Sequence, residues 1–99
     1  MHYKVTISKR AENNIEVLYE YLNDNWPDKV RIDFIKSLKK EVDYLRVNPY
    51  INQKSDLKRG IRRSIITKHN ILYYRILDEE VEIITIQDSR MNPKSFYLL

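Results

Sequence analysis

The spacing of apolar residues changes period twice along this chain. From Tyr3 to Ile7 apolar and polar residues alternate (Tyr3, Val5, Ile7), which predicts a short half-buried strand. Ser8 then stands as an N-cap before Ala11, Ile15, Leu18 and Leu22, whose spacing predicts a first helix from about Ser8 to Asp24. Asn23-Asp24-Asn25 breaks that pattern, and Pro27 and Asp28 suit the first turn of a second helix. Its apolar stripe is Phe34, Ile35, Leu38, Val42 and Leu45, and it ends near Val47, just before Asn48-Pro49. Tyr50 to Gly60 has no period and reads as a loop. Three strand-like runs follow: Ile61–Thr67, Asn70–Leu77 and Val81–Gln87, the last β-branched almost throughout, as suits a central strand. The short connections Lys68-His69-Asn70 and Asp78-Glu79-Glu80 predict antiparallel neighbours. After Asp88 the tail reads as a turn and then a short helical segment.

The order β-α-α-β-β-β predicts an α+β fold, a helical hairpin packed on one face of a curved, mainly antiparallel four-stranded sheet. Ninety-nine residues fit one domain, 1–99, without internal repeats. Lys9 and Arg10 carry the wrong sign for the first turn of a helix, costing about 0.3–1 kcal/mol each if exposed.

Cysteine is absent, so disulfides and thiolate metal sites are excluded. Two histidines with no close carboxylate spacing predict no metal site and no cofactor. The chain has no apolar run of about 18 residues and no apolar leader at its start, so the cytoplasm is the expected location and no membrane partner is expected.

Net charge is +4, and its excess lies in one stretch. Between Lys54 and His69 six basic residues (Lys54, Lys58, Arg59, Arg62, Arg63, Lys68) face one acid, Asp56. The other segments hold twelve basic and thirteen acidic residues, close to neutrality. A basic focus attracts a polyanion or an acidic protein partner.

Internal cleavage of RNA needs a base, a cation for the phosphate and an acid for the leaving oxygen. Lys54, Lys58, Arg62, Arg63, His69, Arg90 and Tyr97 are the side chains suited to those tasks. A histidine in a hairpin turn is more often a partly exposed surface or capping residue than a general base. Tyr73, Tyr74, Phe96 and Tyr97 have rings able to stack on bases, but strand aromatics are more often packing residues. Arg62 and Arg63 must point to opposite faces of their strand, so one is left open to a ligand or partner. Arg75 is placed to pair with Glu82 across a hairpin. No Gly-rich phosphate loop and no nucleophile elbow occurs.

Taken in order, several segments resemble the RelE/ParE toxin superfamily of type II toxin–antitoxin systems, and its ParE branch in particular. They are Tyr-Lys-Val-Thr-Ile-Ser-Lys-Arg-Ala at 3–11, Tyr21, Trp26, Asn48-Pro49, Gly60-Ile61-Arg62-Arg63, His69 to Arg75, Val81-Glu82-Ile83 and Arg90-Met91-Asn92-Pro93. The resemblance implies a small antitoxin partner in a toxin–antitoxin hetero-oligomer, and a role in plasmid or chromosome stabilisation. A ParE-like member would inhibit DNA gyrase without chemistry of its own. Its target or antitoxin contacts would come from Lys54, Lys58, Arg59, Arg62, Arg63, His69, Arg90, Pro93, Phe96 and Tyr97. A RelE-like member would instead cut messenger RNA on the ribosome, with Arg63, Arg90 and Tyr97 as its catalytic group. Against that alternative, Ile71 and Met91 stand where such nucleases carry arginines, although Tyr97 matches a tail tyrosine of some. A degenerate relative acting only as a binding partner is the third reading.

Overall fold

The computed structural model describes residues 2–51 and 60–91. Its elements follow the predicted order: β1 (Lys4–Ile7), α1 (Lys9–Asn25), α2 (Asp28–Val47), β2 (Arg62–Thr67), β3 (Asn70–Leu77) and β4 (Glu80–Asp88). The four strands form one sheet in the order β1-β4-β3-β2. β2, β3 and β4 are antiparallel neighbours, and β1 runs parallel to β4 from Lys4↔Glu80 to Ile7↔Ile83. β3 spans Asn70–Leu77 as predicted, while β4 begins one residue early, at Glu80, and runs one further, to Asp88. The β3–β4 turn is tight enough to hold Asp78 at φ 55°, a left-handed conformation that Asp tolerates better than most residues.

Ser8 ends β1 and starts α1 with one side chain. Its Oγ accepts from the Ala11 N–H at 3.1 Å, the N-cap bond, and donates to the Ile84 carbonyl at 2.9 Å. Beyond Ile83, β4 has no β1 neighbour, and Asn14 of α1 takes over that edge. Its Oδ1 accepts from the Thr85 hydroxyl and, at 3.4 Å, from the Ile86 N–H. A helix side chain thus satisfies the sheet edge where the strand has run out.

The core lies between the helical hairpin and the sheet: Ala11, Leu18, Leu22, Phe34 and Leu45 meet Leu72, Tyr74, Val81, Ile83 and Ile86. The Tyr74 hydroxyl, buried among them, donates to the Pro49 carbonyl. Ile35, expected on the apolar stripe of α2, is instead exposed at its edge. At 100° per residue the stripe is centred on Phe34, Leu38 and Leu45, and Ile35 falls outside it.

Two register shifts decide what the far end of the sheet presents. In β3–β4 the pairs run Tyr73↔Thr85 and then Tyr74↔Ile83, so Ile84 is an extra residue. In β2–β3 they run Ile65↔Ile71 and then Thr67↔Asn70, leaving Ile66 extra. Each bulge changes which residues of its strand face the helices. Val81 and Ile83 face them before the β4 bulge, and Ile86 and Asp88 after it. Thr67, Asn70 and Asp88 are thereby aligned as one polar row on the helix-covered side, at the end nearest the turn between α1 and α2.

Candidate partner-binding site

Along this row the hydrogen bonds form a chain. Thr67 Oγ1 donates to Asn70 Oδ1 at 2.6 Å, and Asn70 Nδ2 donates to Asp88 Oδ2 at 2.7 Å. Asp88, almost completely buried, also receives three bonds from Arg90: the backbone N–H at 2.8 Å and Nε at 2.9 Å on Oδ1, and Nη2 at 2.6 Å on Oδ2. Four donors fill the acceptor capacity of one carboxylate. Burial by itself works to raise the Asp88 pKa. The side-chain and backbone bonds from Arg90, with the Asn70 amide, outweigh it and hold the group below its ordinary value. The bond to Asp88 likewise raises the Arg90 pKa above its usual value.

Arg90 is fixed on its other sides as well. Its guanidinium lies 5.2 Å from the centre of the Trp26 ring, and its carbonyl accepts from the Tyr21 hydroxyl at 3.3 Å. The β2–β3 turn joins the same cluster. The His69 N–H donates to Thr67 Oγ1, the His69 carbonyl accepts from the Ser89 N–H at 2.9 Å, and His69 Nδ1 lies 3.4 Å from Ser89 Oγ. The chain leaving β4 is therefore tied to the β2–β3 turn, to α1 and to the loop before α2.

Above this row opens a groove of about 330 Å³. Trp26 and the first turns of α2 (Val30, Asp33, Phe34) form one wall. Thr67, Lys68, His69 and Asn70 form the other, and Arg90 closes the base. The turn Lys68-His69 is a ridge, because a smaller hollow of about 120 Å³ lies on its far side against Ile71, Gln87 and Ser89.

The candidate residues fall into separate places. Arg62 and Arg63 do face opposite ways. Arg62 points to the helix side, 5.2 Å from the Tyr50 ring centre and 3.4 Å from the Tyr50 carbonyl. Arg63 is exposed on the open face, opposite Tyr73. Arg63 lies four residues from Thr67 along β2, about 13 Å of strand, so it and Arg90 do not share one site. Arg75 and Glu82 pair across their hairpin at 2.7 Å. Lys54, Lys58, Arg59, Pro93, Phe96 and Tyr97 lie outside the described residues. Sequence reading passed over Asp88 and Asn70, met Trp26 without placing it in a site, and counted Lys68 only as part of the basic stretch from Lys54. An Asp-x-Arg at a strand end was the available signal for the clamp. Among the described residues no group of three His, Cys, Asp or Glu is placed to hold a metal ion, and no helix is long and apolar enough to cross a membrane.

Two helices on one side of a four-stranded mixed sheet, in this order, are the architecture of the RelE/ParE toxins. The chain is similar to the chromosomal ParDE toxin–antitoxin system of P. aeruginosa (TM-score 0.74, 12% identity, covering 88% of this chain and 96% of that one). It is also similar to a free-state mutant of the E. coli toxin RelE (TM-score 0.61, 18% identity, 90% and 85% covered). A third similar structure is the YoeB dimer of Staphylococcus aureus (TM-score 0.59, 20% identity, 88% and 97% covered). At these identities the likeness establishes the fold. No curated protein matches the chain by sequence. The profile of the ParE toxin of the type II toxin–antitoxin system, parDE, matches residues 5–93, and the chain belongs to that family.

Proposed function

We propose that this chain is a single-domain, cytoplasmic ParE-like toxin that inhibits DNA gyrase by protein–protein contact, is neutralised by a small cognate antitoxin, and serves plasmid or chromosome stabilisation. The family match supports the toxin role. The observation that favours binding over nuclease chemistry is the state of Arg90. Its Nε and Nη2 are both spent on Asp88 and its face lies against Trp26, the arrangement of a structural arginine. A phosphate-binding arginine in a nuclease needs those donors free, and Arg63 stands too far along β2 to share its work.

The antitoxin has suitable ground. The outer edge of β2 is unpaired among the described residues, and exposed Ile65 sits on that strand beside the open face. Arg63 and Lys68 would steer an acidic arm towards it. The test is induction of the chain alone in a bacterial host, with pulse-labelling of DNA, RNA and protein over several minutes. Early loss of DNA synthesis with protein labelling intact is the expected result. Immediate loss of protein labelling, with cleaved transcripts, would establish the ribosome-dependent nuclease instead.

A further inference from the structure

We propose that the groove between Trp26 and the β2–β3 turn receives a large apolar side chain from an acidic segment of the antitoxin, with a neighbouring carboxylate of that segment held by Lys68. The proposal rests on the toxin–antitoxin reading and gives it a specific contact.

Size and lining set the first requirement. A groove of about 330 Å³ is at the small end of ligand-binding clefts, fitting one or two side chains better than an extended cofactor. Its exposed wall is the Trp26 ring, 41% accessible, with Val30 and Phe34 beside it. A tryptophan backed by a clamped arginine is a rigid apolar surface, the kind that anchors an interface with little loss of entropy on binding.

The charges set the second requirement. Asp33 on the rim is matched by Lys29 at 2.6 Å, and Arg90 at the base by Asp88. Lys68 on the ridge is exposed and makes no ion pair among the described residues. Among the described residues the groove therefore offers an apolar slot with one open cation at its lip. A nucleic acid strand suits it poorly, because its successive phosphates would find one uncommitted cation among the described residues that line it. An apolar side chain next to a carboxylate, on an acidic peptide, fits both requirements.

The full chain and its cognate antitoxin would be purified separately and their Kd measured near 0.15 M salt. Lys68→Glu is a surface change that keeps the fold, and it should weaken binding at least about tenfold. Val30→Lys, which blocks the slot, should do the same, while Lys39→Glu, on another face of α2, should stay within about twofold. An acidic-to-Lys scan of the antitoxin should yield one substitution that restores the affinity of Lys68→Glu. A complex whose Kd ignores both Lys68→Glu and Val30→Lys would overturn the groove assignment and leave the toxin–antitoxin reading intact. Failure of the wild-type chains to associate at all would overturn that reading, and the groove assignment with it. A single-stranded RNA 20-mer that binds the wild-type chain more tightly than the antitoxin does, and is lost with Lys68→Glu, would assign the groove to nucleic acid instead.

Discussion

The guanidinium of Arg90 meets the carboxylate of Asp88 at two points, Nη2 to Oδ2 at 2.6 Å and Nε to Oδ1 at 2.9 Å, while the Arg90 backbone N–H caps the same Oδ1. One buried acid thus fixes both the side chain and the main chain of a residue two positions later. Asp88 reaches that place because of the bulge at Ile84, which turns it to the helix-covered side of β4.

Replacing Asp88 with Asn should therefore destabilise the protein far more than an average surface change. It removes the charge that balances Arg90 and sets one amide against the Asn70 amide. Urea denaturation should show a loss of about 3 kcal/mol, in the range for breaking a buried pair from one side. Arg90→Lys, which keeps the charge but not the two-point geometry, should cost about half as much.

The same carboxylate predicts an acid limb in the stability curve. Its folded pKa lies below the unfolded value near 3.8, so its contribution is complete above that pH. The contribution is lost as pH falls through the folded value. Comparing wild type and Asp88→Asn by urea denaturation across pH 2–6 should show the gap between them closing on the acid side. A gap independent of pH would mean that Asp88 charge contributes nothing.

Ser8 joins α1 to β4 through two bonds, and the sequence announced only the first. Ser8→Ala should cost about 1–2 kcal/mol, more than a cap alone, because the Ile84 carbonyl loses its donor as well. Thermal unfolding measures it, and a Thr substitution that keeps the hydroxyl should recover most of the loss.

Much of this fold is legible in the residues. Ser8 and Asn48-Pro49 mark helix ends, and the period-2 runs after Gly60 mark the strands, because these signals are local. The expected break at Asn23-Asp24-Asn25 is not one: α1 runs through it to Asn25, whose amide donates back to the Tyr21 carbonyl. The candidate site was far less legible, and the reason is the two bulges. Alternation read straight through Val81–Gln87 assigns the residues beyond Ile84 to the wrong face, and nothing in a uniformly β-branched run marks where the extra residue lies. The polar row Thr67–Asn70–Asp88 exists only once both shifts are known. Trp26 was visible as a landmark of the hairpin, but its use as a groove wall depends on Arg90 arriving from the far end of the chain.

The bulge itself can be tested. Deleting Ile84 would remove the extra residue and leave Val81, Ile83, Ile86 and Asp88 alternating on the helix-covered side, so the polar row should survive. Circular dichroism and amide proton spectra should show a folded variant. Loss of the folded state would contradict the assignment of Ile84 as the extra residue.

The proposed action on gyrase can be measured with purified components. The chain would be added to DNA gyrase, ATP and relaxed plasmid, with and without its antitoxin, and supercoiling followed on gels. Dose-dependent loss of supercoiling, reversed by the antitoxin, is the predicted result. Undiminished supercoiling at a large molar excess of the chain, with messenger RNA cleaved when the chain is added to translating ribosomes, would contradict it.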